Sequence, residues 1–216
     1  MALLHDVLSG ANRIFGDANH PLPASAAGYS EAADALIKQY ESVSFEEAHR
    51  SVLPYLSLPP SQVADIGAGT GRDAAALANR GHEVYAVEPV PELRHAAQRL
   101  HADAAVTWVD DALPELDQLS GEFGLVMATA VWMHLDEDER ARGLRRVASL
   151  LRPGGRWVLT LRHGSVPPGR RMFDVSPAEI ISDGADCGLE LAHLSHCDDV
   201  HGRTDVTWTN LILDRS

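Results

Sequence analysis

The sequence predicts an α/β domain: a mostly parallel sheet of seven strands, with an antiparallel final strand and helices on both faces. Three observations carry this. From Val63 onward, short apolar runs alternate with helix-like stretches, and strands alternating with helices of about 10–15 residues pair in parallel through crossovers. The last two apolar runs are joined only by Asp198-Asp199-Val200-His201-Gly202-Arg203. That connection is too short for a crossover, so the two strands must be antiparallel neighbours. Finally, the turn after the first run, Gly67-Ala68-Gly69-Thr70-Gly71-Arg72, sets glycines at alternate positions where a strand hands over to a helix.

Met1 to about Tyr29 is weakly patterned and runs into the turn-rich piece GDANHPLPASAAGYS. Residues 1–30 are therefore expected to be an N-terminal arm, mobile or loosely docked. Residues 31–216 are expected to be a single domain. Its residues 31–57 form a helical cap of two helices, Glu31–Tyr40 and Phe45–Leu56. The linker LSLPPSQ leads into a short strand, Val63–Ile66. Helix Arg72–Arg80 precedes strand Glu83–Val87, and helix Pro91–His101 precedes strand Val106–Val109. Strand Phe123–Ala128 follows a turn, and helix Asp136–Leu151 stops at Arg152-Pro153-Gly154-Gly155. Strand Arg156–Arg162 comes next. Ser176-Pro177-Ala178-Glu179 is a capping box with Pro at the first helical position, and that helix ends near Gly188. Strands Leu189–Cys197 and Asp205–Leu213 close the chain.

Composition narrows the function. Apolar residues make up 45% and charged residues 23%, ordinary globular values. A net charge of −13 argues against a broad phosphate-binding surface, because nucleic-acid binders display a basic face. Cys187 and Cys197 form no disulfide framework and no metal-ligand pattern. The spacing of His134, Asp136 and Asp138 fits no common metal site, so no metal is expected. The first residues, MALLHDVLSG, have no basic region and an interrupted apolar run, so no signal peptide is expected. No window approaches the roughly 18 apolar residues a spanning helix needs. A cytoplasmic location fits these features.

Ligands of open α/β sheets bind at the carboxyl ends of the strands. Glycines there let the backbone approach a ligand and take positive φ. The next helix N-terminus offers unpaired N–H groups. Glu88 closes the second strand, where a carboxylate can accept from both hydroxyls of a ribose. Dinucleotide sites place a third glycine inside the helix, as G-x-G-x-x-G. Here the third glycine comes one position early and Arg72 occupies that place, which argues against a pyrophosphate. S-adenosylmethionine has a ribose and an amino-acid tail but no phosphate. Read singly, the glycines serve a tight turn, Glu88 is a solvated carboxylate and Asp111 is a helix N-cap. Their order along the chain is what points to a ligand.

With DIGAGTG (Asp65–Gly71), Glu88, Asp111-Ala112, AVWMHL (Ala130–Leu135) and LLRPGG (Leu150–Gly155) in succession, the chain resembles the class I S-adenosylmethionine-dependent methyltransferases of small-molecule type, over roughly residues 63–216. The resemblance implies a Rossmann-like fold, S-adenosylmethionine as cofactor and S-adenosylhomocysteine as product. It further implies that Gly67, Ala68, Gly69 and Gly71 pack against the methionine part, with Asp65 ordering the loop and a water near the ammonium group. Glu88 would hold the ribose, with Pro89 and Val90 against the adenine. Asp111 would accept from the adenine amino group, with Ala112 and Leu113 along the ring; Asp110 is its rival for that role. The carbonyl of Ala128 would take the ammonium group.

Methyl transfer needs the nucleophile held in line at roughly 3 Å. It needs a base only if the acceptor must lose a proton, so no catalytic residue is obligatory. His134 and Tyr40 are candidates, each with the alternative of a bonding or packing role in the fold. Trp132 is either pocket wall or core. Arg162 and His163 end the fifth strand, and Arg170 and Arg171 follow on a Pro/Gly-rich loop. These arginines either bind a carboxylate or phosphate on the acceptor or pair with surface acids. The chain lacks an Asn/Asp-Pro-Pro-Tyr/Phe segment and a paired-glutamate loop, which disfavours nucleic-acid bases and protein arginine as acceptors. The expected function is methyl transfer to a small molecule, with no nucleic-acid or membrane partner. The alternatives are a non-catalytic S-adenosylmethionine-binding protein and a protein side-chain methyltransferase. An oxidoreductase on a dinucleotide is opposed by Arg72.

Overall fold

The computed structural model describes residues 14–15 and 22–216. Most of the expected N-terminal arm thus lies outside the described residues. Its Ile14–Phe15 form a two-residue edge strand, β1, parallel to β4 (Val106–Val109). The expected strands follow as β2 (Gln62–Ile66), β3 (Glu83–Val87), β4, β5 (Phe123–Ala128), β6 (Leu151–Gly164), β7 (Leu189–Asp198) and β8 (Val206–Arg215). Across the sheet the order is β1-β4-β3-β2-β5-β6-β8-β7. β8 slots between β6 and β7 and runs antiparallel to both, while the pairs from β1 to β6 are parallel.

The alternation of side chains along each strand builds two cores. Ala64 and Ile66 of β2, with Trp157, Leu159 and Leu161 of β6, face α5 (Glu137–Leu150) and α6 (Pro177–Asp186). Val63 of β2, with Leu125, Met127 and Val158, faces α3 (Arg72–Ala78) and Ala97 of α4 (Pro91–Leu100). Helix α5 starts on a complete capping box, with Asp136 and Glu139 exchanging side-chain and backbone bonds.

Two elements differ from expectation. The second cap helix is cut short. α1 (Ala33–Glu41) is followed by only one turn, α2 (Phe45–Ala48), and then a 3₁₀ turn at Leu53–Tyr55. Pro54 has no N–H to continue the helix and disfavours helical geometry at the residue before it. β6 begins at Leu151 rather than Arg156, taking the Arg152–Gly155 stop into the strand. Within the expected arm, Tyr29 reaches 105 positions along the chain, its hydroxyl 2.9 Å from His134 Nε2.

Because β2 connects to β3 on one side and lies against β5 on the other, the sheet's switch point falls between β2 and β5. The carboxyl ends of those strands open the crevice where such sheets bind ligands.

Candidate functional site

A cavity of about 920 Å³ occupies that crevice. Its floor is the turn after β2. The N–H groups of Gly67 and Ala68 both donate to the Val87 carbonyl, at 2.8 and 2.9 Å, and Gly71 N–H donates to the Ala68 carbonyl at 2.9 Å. Gly67, Ala68 and Gly69 line the cavity. Gly71 stands behind it: at φ +80°, a Cβ there would lie 2.7 Å from the Trp108 ring. Gly69 leaves room on the cavity side, whereas a Cβ at Gly67 would run into Val131 and one at Gly71 into the core.

Glu88 is buried at the end of β3, with 4% of its surface exposed. Its Oε2 accepts from Gly69 N–H at 2.8 Å and its Oε1 from Val90 N–H at 2.9 Å. One carboxylate therefore fixes the glycine loop and the start of α4, and still has lone pairs on the cavity side. Burial lifts its pKa to about 7, against the two backbone donors and the Arg94 guanidinium, which favour the anion. Asp110 and Asp111 separate cleanly. Asp110 is ion-paired with Arg94 at 2.8 Å, whereas Asp111 lines the cavity with Pro89, Ala112 and Leu113. The Asp111 carboxylate accepts from Ala112 N–H and Gln118 N–H, at 2.8 and 2.7 Å.

Beneath the loop lie more buried acids. Asp73 accepts from His49 Nε2 at 2.6 Å, from Arg72 Nε at 2.7 Å and from the Thr129 hydroxyl at 3.3 Å. Against burial, which works the other way, its bonds from His49 and Arg72 hold its carboxyl far below the usual range. Arg72 also donates to the carbonyls of Tyr40 and Val43, at 3.4 and 3.5 Å, tying the end of α1 to the glycine loop. Asp65 is the contrary case. It lines the cavity, its Oδ2 is buried without a hydrogen-bond partner, and burial beside Asp73 pushes its pKa well up. An orphaned buried carboxylate oxygen of this kind suits a ligand that brings a cation, such as an ammonium group.

On the other side stand the acceptor candidates. Tyr40 lines the cavity with its ring about 3.6 Å from where a Gly69 Cβ would lie. His134, Arg162 and Arg170 also line it. Ala128, Trp132, His163 and Arg171 do not. Ala128 is fully buried in the sheet, and Thr129, Ala130 and Val131 take the cavity edge. His163 Nε2 lies 2.9 Å from the Thr209 hydroxyl. Arg171 is spent on Asp136 and Glu139, at 2.7 and 2.6 Å. Trp132 is core: fully buried and edge-on to Trp157, ring centroids 4.9 Å apart. Trp132→Ala should cost about 3–5 kcal/mol of stability, read as a lowered denaturation midpoint. An unchanged midpoint would deny it that packing role.

The sequence reading missed Tyr29, Arg50, Thr160, Arg203 and Asn210, all cavity-lining. Tyr29 comes from residues 22–30, Arg50 from the cap, Thr160 from β6, Arg203 from the β7–β8 connection and Asn210 from β8, so only non-local packing brings them together.

Taken together, the site sets a glycine turn at the switch point of an α/β sheet beside a buried acid on the adjacent strand, an arrangement that suits a nucleoside. Residues 63–155 match the methyltransferase-domain family. An uncharacterised methyltransferase of Mycobacterium tuberculosis is 36% identical over 96 residues, 44% of this chain and 37% of its own length; the chain thus spans well under half of that relative. The ubiquinone biosynthesis O-methyltransferase of Xanthomonas euvesicatoria pv. vesicatoria is 26% identical over 178 residues, 72% of this chain and 71% of its own. The fold is shared with the Burkholderia thailandensis 1,6-didemethyltoxoflavin-N1-methyltransferase, crystallised with its acceptor and S-adenosylhomocysteine. That comparison has a TM-score of 0.64 at 22% identity, covering 94% of this chain and 98% of that one. Residues 63–155 are thus similar to methyltransferase domains, within a fold shared with S-adenosylmethionine-dependent methyltransferases.

Proposed function

We propose that this cavity binds S-adenosylmethionine and that the protein transfers its methyl group to a small-molecule acceptor bearing a carboxylate or phosphate. The observation that carries this reading is the division of the cavity along the sheet. Gly67–Gly69, Glu88 and Asp111 follow β2, β3 and β4, and Asp65 lies on β2 just before the glycine turn. Arg162 lies near the end of β6, on the far side of β5, while Arg203 of the β7–β8 connection is already paired with Asp199 at 2.6 Å. The first half suits a ribose and an ammonium group; the second suits an anion.

Among these arginines the weight falls on Arg162. Its Nη1 donates to the Ser165 carbonyl at 2.7 Å, while its Nε is buried with no partner. Burial and the neighbouring Arg203 push its pKa down, which an anionic ligand would relieve. Arg170 is partly engaged, stacked over the Tyr29 ring at 3.6 Å. Arg171 drops out because two carboxylates already neutralise it. The relatives support a small acceptor: the Xanthomonas relative is named for ubiquinone biosynthesis and the Burkholderia neighbour for didemethyltoxoflavin. Among the described residues, no helix is long and apolar enough to cross a membrane.

The test is Arg162→Ala against an acceptor found by S-adenosylhomocysteine release from a metabolite panel. The acceptor KM should rise about tenfold or more, the usual effect of losing a charged hydrogen bond. Affinity for S-adenosylhomocysteine should hold. An unchanged KM would contradict the anion reading.

A further inference from the structure

His134 Nδ1 lies 2.7 Å from the carbonyl oxygen of Arg171. A carbonyl only accepts, so Nδ1 carries the ring proton and Nε2 carries the lone pair. Nε2 faces the Tyr29 hydroxyl at 2.9 Å, so Tyr29 donates to it. The lone pairs of the Tyr29 oxygen are left for a third group. Both residues line the cavity, as does Tyr40, whose ring lies over the glycine loop.

This placement is built in from several directions. The Arg170 guanidinium covers the Tyr29 ring at 3.6 Å and reaches the Ala27 carbonyl at 3.4 Å. Gly28 packs so closely on Gly169 that a Cβ at 28 would lie 2.6 Å from the Gly169 oxygen. The His134 ring stands edge-on to Tyr29, ring centroids 5.5 Å apart.

We infer that Tyr29 and His134 form a proton relay that deprotonates a hydroxyl on the acceptor, so that the methylated atom is oxygen. This rests on the reading of the cavity as a methyl-transfer site. The acceptor hydroxyl donates to the Tyr29 oxygen. As it gives up its proton to Tyr29, Tyr29 passes its own to His134 Nε2, leaving a neutral tyrosine and an imidazolium. The acceptor oxygen forms the new bond to the methyl carbon as the carbon–sulfur bond breaks, and that electron pair stays on sulfur. The imidazolium proton then leaves to solvent. Tyr29 touches the acceptor and is the catalytic residue; His134 acts through it and is a positioning residue.

The charged groups facing His134 are Arg170 and Arg171, the latter held by Asp136 and Glu139, and beyond Tyr29 the Tyr40 hydroxyl and Glu88. Burial, with the two arginines adding to it, keeps the His134 pKa below its ordinary value. The imidazole is therefore neutral and able to take a proton at pH 7.

Two phenols report ionisation by the colour of the phenolate: 4-nitrophenol, and 4-hydroxy-3-nitrobenzoate, which adds a carboxylate. Each is titrated with pH while bound to the S-adenosylhomocysteine-loaded protein. In the wild type the bound phenol should ionise about one pH unit or more below its value in water, a roughly tenfold larger phenolate fraction. Tyr29→Phe, which keeps the ring under Arg170, should abolish that shift. His134→Gln should also abolish it. In both variants, calorimetry should find the affinity for S-adenosylhomocysteine unchanged. If His134→Gln loses that affinity, the fold has been disturbed and Tyr29→Phe alone decides. Binding and ionisation of 4-nitrophenol alone would uphold the relay and count against the anion site. Equal ionisation in wild type and Tyr29→Phe, or binding of neither phenol, would overturn the relay. A wild type that does not bind S-adenosylhomocysteine would overturn the methyl-donor reading and the relay with it.

Discussion

Replacing Glu88 by Ala is expected to weaken binding of S-adenosylmethionine about a hundredfold or more. Two ribose hydroxyls would lose a charged acceptor, and each such bond contributes roughly 1.5–3 kcal/mol. The loop itself would also suffer, because Gly69 N–H and Val90 N–H both donate to this carboxylate. Glu88→Gln keeps the shape and removes the charge, and it exposes a second effect. Burial holds the Glu88 pKa at about 7, and hydroxyl donors favour the ionised form. Affinity should therefore fall as pH drops through 7, by about tenfold between pH 8 and pH 6 if the protonated form binds negligibly. In Glu88→Gln that component of the pH dependence should vanish. The effect on folding has the opposite sign. The folded pKa lies above the ordinary 4.5, so this group costs the ligand-free protein stability as pH rises from about 4.5 to about 7. Calorimetry across pH checks the first point and thermal denaturation the second.

Gly71→Ala is expected to be strongly damaging, for a reason unconnected with the ligand. A Cβ at 71 would lie 2.7 Å from Trp108 and 3.2 Å from Ala97, on a backbone at φ +80°. Trp108 is buried in the core and cannot give way. Overpacking costs about 1–3 kcal/mol and a left-handed conformation about 1–2 kcal/mol. A loss of roughly 2–5 kcal/mol should lower the melting temperature by about 4–20 °C. Gly69→Ala separates the two roles of the loop. Its added Cβ meets nothing nearer than Tyr40 at 3.6 Å, so it should fold with a smaller penalty and lose affinity for the nucleoside. Equal melting temperatures for Gly71→Ala and wild type would show that the core accommodates the methyl.

What was legible in the sequence was local. Strands β3, β4 and β5 begin and end where their apolar runs do, and the β7–β8 pairing follows from a connection too short for anything else. Glu88 and the glycine turn are separated by one helix and one strand, so the crossover alone brings them together. The arginines were not legible in this way. Arg162, Arg170 and Arg171 look alike on the chain. Which of them faces the cavity depends on acids elsewhere, since Asp136 and Glu139 at the start of α5 claim Arg171. Tyr29 was hidden for a similar reason. Its surroundings read as turn-rich and unpatterned, and its place is set by His134, Arg170 and Gly169, all more than a hundred residues away. Asp73, joined to both His49 and Arg72, likewise links the cap to the glycine loop through a network no local pattern announces.

The most direct measurement is calorimetric titration of the wild-type protein with S-adenosylhomocysteine and, separately, with NAD. A saturable binding isotherm with one S-adenosylhomocysteine per chain and no heat from NAD is the expected result. Heat from NAD and none from S-adenosylhomocysteine would mean that the loop at 67–71 and the acid at 88 hold a different nucleotide, and the functional account would fail.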